Sequence, residues 1–359
     1  MKEQLERQFA GHRLLDWMGA FTGLWIILGM YIDARAHRML PGLESFFTPW
    51  HFVFYTGGLA LGGTAALATY AWWSSKDAQA REPITRIWRA APAGYGGALL
   101  GWVIFAISGV ADLAWHLAFG IEVGLEPLLS PSHLGLAIGG GLMVLCPYRA
   151  ALARKAQGLQ SELDWPALLS ITWTYSAVVF VTQHTIPMVD HLALVFGGEH
   201  ELHQSFGAQK MFIQTVVLLA VLIHLDQRWT LRRFSGVVMM LGHGALVSLM
   251  MTHYQTSMEF WTLAGISELF SEGRIMLASC LMTGVAIELG LRHLRPHGLS
   301  PYLALIGGVW VGSMFFSVWA LTDIEIHWRI SGWMGMVASM AILGWLAGLV
   351  VSKSEPVTN

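Results

Sequence analysis

Apolar stretches of roughly 20 residues recur along the chain from one end to the other, the length a helix needs to cross the hydrocarbon core of a bilayer. In lipid every backbone polar group must be satisfied inside the protein, so only helices and closed barrels can span. A barrel would show short segments of alternating hydrophobicity, and these runs are long and continuous. Charge is scarce to match, 12% of 359 residues against about 25% in soluble domains. The expected fold is therefore all-α, a polytopic membrane protein forming a single transmembrane helical domain over 1–359. About ten helices are expected, near 14–32, 50–72, 94–115, 132–148, 167–186, 209–226, 235–253, 273–292, 301–322 and 331–351. The first apolar run continues to Ile32, too long for a signal-peptide core, so it is expected to stay as a span. Cys146 and Cys280 both fall inside apolar runs, which argues against a disulfide framework or a thiolate cluster.

Alternate loops carry the positive charge. Lys76, Arg81, Arg86 and Arg89, then Arg149, Arg154 and Lys155, then Arg228, Arg232 and Arg233, then Arg292 and Arg295 join both termini to place 16 of the 21 Lys and Arg on one side. The positive-inside rule makes that side, with both termini, cytoplasmic. The opposite side receives 10 of the 15 histidines, together with many carboxylates. Exclusion of basic residues from outer loops explains the carboxylates but gives no reason for the histidines.

The most informative pattern is an internal repeat in two helical hairpins, near 14–72 and 94–148. The first carries Asp33, His37, Glu44, His51, Gly57 and Gly58; the second carries Asp112, His116, Glu126, His133, Gly139 and Gly140. Each His follows its Asp by four residues, each second His follows its Glu by seven, and only the gap between the first His and Glu differs. Asp and His at i and i+4 lie on one helical face, and Pro49 and Pro131 start the returning helix two residues before His51 and His133. Each hairpin is expected to bring one carboxylate and two imidazoles to a single outer corner, a donor set suited to copper, zinc or iron. Glu44 and Glu126 could ligate as well, or orient the imidazoles. The alternative is that Asp and His cap helix ends and bond to each other.

Other polar residues are harder to assign. Asp323 and His327 form a third, partial copy; His184, Asp190, His191, His200 and His203 crowd the loop after the fifth span. Those loop residues could form another metal site, donate to a shared one, or be a solvated loop. His243 is the one histidine deep in an apolar run, and intramembrane ionisable groups are functional candidates.

At these residues the chain resembles the C subunit of the copper-dependent membrane monooxygenases, the particulate methane and ammonia monooxygenases. That subunit carries Asp or Asn, His four later and a second His 13 or 14 further on, in two successive hairpins. Asp33, His37 and His51 match that spacing; Asp112, His116 and His133 match in order and type with a gap of seventeen. The resemblance covers about 33–140 and implies copper near the outer face, oxidation of a small apolar substrate by dioxygen, and other membrane subunits as partners. Catalysis would then rest on Asp112, His116 and His133, with a second metal site at Asp33, His37 and His51. A metal delivery or transport protein for copper or zinc, and a structural subunit without metal, are the competing expectations. The remaining expectations are a plasma-membrane location, contact with lipid, further copies of the chain as another possible partner, and no nucleic-acid partner.

Overall fold

The computed structural model describes residues 2–39, 46–76, 82–120, 129–184, 201–249, 263–322 and 325–354. Eleven α-helices account for almost all of them: α1 (Lys2–Met39), α2 (Pro49–Ser74), α3 (Gly96–Phe119), α4 (Pro131–Val144), α5 (Cys146–Ala156), α6 (Trp165–His184), α7 (Glu201–Arg228), α8 (Ser235–Ser248), α9 (Leu263–His293), α10 (Leu299–Leu321) and α11 (Ile330–Ser354). Eight of these are long and apolar enough to cross a bilayer, which makes the chain a multi-pass membrane protein. The expected span at 132–148 is instead two helices, α4 and α5, that meet at a bend of 42°, the geometry of a broken span or a re-entrant loop. The cause is Pro147, which has no N–H to continue the ladder; nearby, the Arg149 guanidinium donates to the Leu142 carbonyl at 2.7 Å. The expected span at 235–253 appears as α8, only 14 residues long.

The chain divides into two compact units, Met1–Ala177 and Val178–Asn359. In the first, α1 packs on α2 and α3 on α4. A buried ion cluster closes the end away from the paired histidines. Arg154 on α5 donates to Asp16 on α1 at 2.5 Å, to Asp164 at 3.0 Å and to Gln160 at 2.7 Å, and Tyr95 donates to Asp16 at 3.0 Å. Asp16 and Arg154 are both buried, so removing either partner strands a charge in an apolar interior. Arg154→Ala is expected to cost about 3–5 kcal/mol, read as a lowered unfolding temperature of the detergent-purified protein.

The second unit is bound by small residues and hydroxyls. Ser279 on α9 meets Ser317 on α10 at 3.1 Å, and Thr283 meets Ser313 at 3.4 Å, bonds of the kind that hold helices together where lipid removes the hydrophobic drive. The start of α8 is capped from α9, where the Glu288 carboxylate accepts the backbone N–H groups of Phe234 at 3.0 Å and Gly236 at 2.8 Å. Along α11, Ile330, Met334, Ile342, Trp345, Leu346 and Val350 are exposed, an apolar face suited to lipid.

Candidate metal centre

Both ligand-bearing helix pairs use the same start signal. Thr48 and Ser130 each cap the returning helix, accepting the backbone N–H of His51 at 3.2 Å and of His133 at 3.3 Å; the following proline gives up an N–H that had no helical partner anyway. The histidine third from the cap is thereby fixed in the first turn, beside the last turns of the preceding helix.

The repeated Gly-Gly pairs set how close the helices come. A Cβ on Gly57 would lie 2.7 Å from the Ile26 backbone nitrogen, and one on Gly139 would lie 2.7 Å from the Phe105 backbone nitrogen. Ile26 and Phe105 each stand seven residues before the aspartate of their own helix, so the two pairs cross in the same register. The second glycine of each pair faces the other pair: Gly58 abuts the Phe105 ring, and a Cβ on Gly140 would lie 3.7 Å from Ile26 Cδ1. Four glycines thus make a reciprocal frame, two helical turns from the ligands.

The frame delivers what the spacing predicts. Asp33, His37 and His51 form one group able to hold a metal ion, and Asp112, His116 and His133 form another. In the first, His37 Nε2 and His51 Nε2 are 3.3 Å apart, and Asp33 Oδ1 stands 3.3 Å from His51 Nε2 and 3.8 Å from His37 Nε2. A point equidistant from the three atoms lies about 2.0 Å from each, a metal–imidazole bond length. In the second, Asp112 Oδ1 lies 3.6 Å from His116 Nε2 and 3.5 Å from His133 Nδ1.

Hydrogen bonds on the far ring nitrogens fix where the lone pairs point. His51 Nδ1 donates to the Phe46 carbonyl at 2.5 Å, and His116 Nδ1 donates to the Gly120 carbonyl at 3.1 Å. A carbonyl only accepts, so these Nδ1 atoms carry the proton and leave Nε2 bare in the neutral ring, the arrangement usual for metal-ligating histidine. Each bare Nε2 then faces a carboxylate oxygen, one lone pair against another, and the His51 Nε2 also accepts from His37 Nε2 at 3.3 Å. Asp33 Oδ1 and His116 Nε2 are buried and make no hydrogen bond. The approach becomes attractive once a cation lies between, or once Nε2 takes a second proton; one ion answers three donors together, whereas one proton answers a single pair.

The two groups face each other, which spacing alone did not reveal. The His116 ring lies 6.0 Å from His51 and 6.3 Å from His37 between centroids, and 5.8 Å from His133. Phe46 covers them from one side, 4.6 Å from His51 and 5.9 Å from His116. Sequence reasoning also missed Tyr55 and Ser132, which donate to Asp112 Oδ2 at 2.6 Å and Oδ1 at 3.0 Å. The position of Tyr55, one helical turn after His51, was the available signal.

The other candidates stand apart or lie outside the described residues. Glu44, Glu126, His191 and Asp323 lie outside the described residues, as does the side chain of His184. His327 belongs to neither metal group among the described residues; it sits past the end of α10, its backbone carbonyl accepting from Gln204 at 3.4 Å. His243 is buried in α8, 6.5 Å from the Trp310 ring.

Fold and site together define a helical membrane protein with two adjacent Asp–His–His groups suited to a metal ion. Comparison with protein-family models, curated proteins and solved structures returns no match.

Proposed function

We propose that this chain is a copper-binding membrane protein acting as an oxygen-dependent oxidoreductase of the monooxygenase type, alone or as a subunit, on a small apolar substrate. The observation that carries the metal reading is the pair of bare imidazole nitrogens turned toward carboxylate oxygens. Nitrogen-rich sites of this kind favour copper over zinc and iron by the Irving–Williams order, and the resemblance over 33–140 points the same way. Bound copper would supply redox chemistry with dioxygen. Asp33, His37 and His51 would hold one ion and Asp112, His116 and His133 the other, while Phe46 and Phe105 supply an apolar wall that suits a substrate arriving from lipid. The shared glycine register supports descent of the two helix pairs from one duplicated hairpin. In the full reading the chain makes ten spans in the plasma membrane, with both termini cytoplasmic and the metal centre toward the extracytoplasmic face.

A protein that hands copper or zinc onward is the second reading. It is favoured by access: the His133 side chain is 25% exposed although Asp112 and His116 are almost fully covered, so an ion could enter and leave past it. Elemental analysis of native membranes enriched in the chain tests both, with at least one transition metal per chain expected; a metal count at background sinks both. Oxygen-dependent turnover of short alkanes without vesicle uptake of copper supports the oxidoreductase, and uptake without turnover supports the carrier.

A further inference from the structure

We propose that Tyr55 is a positioning residue that makes the two metal groups unequal, so that the Asp112 group binds its ion more tightly than the Asp33 group. This rests on the metal reading above.

The frame around the two groups is close to reciprocal, but their supports are not. Asp112 is gripped at both oxygens, by Tyr55 at 2.6 Å and Ser132 at 3.0 Å. Asp33 Oδ1 makes no hydrogen bond. The residues matching Tyr55 and Ser132 in the other repeat are Ala137, whose side chain has no donor, and Trp50, which puts an indole where Ser132 has a hydroxyl. The asymmetry is therefore written into the sequence at the two positions that matter.

Tyr55 is also borrowed across the repeat. It belongs to α2, one turn beyond His51, yet its hydroxyl reaches the aspartate of α3. Room for it comes from Gly109, where a Cβ would lie 2.8 Å from the ring, one turn before Asp112. Phe46 and Phe105 pack the ring at 5.7 and 5.9 Å between centroids. A short hydrogen bond on Oδ2, from a ring held on several sides, keeps Oδ1 turned toward His116 and His133. A carboxylate already aimed loses less freedom when an ion binds, and outer partners of this kind are typically worth about 10–100-fold in metal affinity.

The test is a Cu(II) titration of the full chain purified in detergent, followed by electron paramagnetic resonance. The wild type is expected to load in two steps with distinct spectra. His37→Ala/His51→Ala should keep the tighter step, and His116→Ala/His133→Ala the weaker one. Tyr55→Phe, which keeps the packed ring, should weaken the tighter step by about 10–100-fold and shift its spectrum, leaving the weaker step in place. Ser132→Ala should weaken that same step. An unchanged tight step in Tyr55→Phe overturns the proposal, as does a tight step that disappears with His37 and His51. A wild-type chain that takes up no Cu(II) overturns the metal reading itself.

Discussion

Replacing His116 and His133 together with alanine is expected to empty the Asp112 group of metal while leaving the helices in place. Both histidines belong to that group, and each offers it one ligand nitrogen. Loss of one outer partner alone costs about 10–100-fold in affinity, so loss of two of three ligands exceeds anything a supporting residue can do. The fold should tolerate it, because α3 and α4 are joined through Gly101, Phe105 and Gly139 rather than through the ligands. Metal per chain by mass spectrometry, with circular dichroism as a check on helix content, reads the result. His243→Ala is the control: it removes a buried imidazole from α8 and should leave the metal content unchanged. Full metal retention in the double variant would mean that the ion sits elsewhere.

The sequence was a good guide to parts of this molecule for definite reasons. Apolar length is read directly as helix, and eight of the expected spans fall on helices long and apolar enough to cross a bilayer. Pro147 shows why counting was harder: a proline within an apolar run can be a start or a break, and here it divides one run into α4 and α5. The ligand groups were legible because Asp and His four apart share a face whatever the rest of the chain does, and because Pro49 and Pro131 announce a helix start just before the second histidine. What could not be read was the meeting of the two groups. That depends on how one helix pair rotates against the other, information held in the contacts of Gly58 with Phe105 and of Gly140 with Ile26. The glycine pairs were visible as repeats, yet only packing shows that one glycine serves its own partner helix and the next serves the neighbour. Tyr55 was hidden for the same reason, since its partner lies 57 residues away.

Gly139→Val is expected to damage both stability and metal binding, and Gly57→Val to do the same for the other group. A Cβ on Gly139 would lie 2.7 Å from the Gly101 carbonyl oxygen and from the Phe105 nitrogen, backbone atoms that cannot step aside. Ordinary contact begins near 3.5 Å, so α3 and α4 must separate by on the order of 1 Å, and overpacking of this kind costs about 1–3 kcal/mol. Metal geometry tolerates about 0.2 Å, so the same displacement pulls Asp112 and His116 on α3 away from His133 on α4. The loss of metal should therefore be large where the loss of stability is moderate, which distinguishes a moved ligand from general unfolding. Gly63 and Gly141 lie on the same helices with nothing within 4 Å of an added Cβ, and their alanine variants should keep both metal and melting temperature. Metal content and thermal unfolding of the four variants test the point together: if Gly139→Val retains its full complement of metal, the crossing does not set the spacing of the ligands.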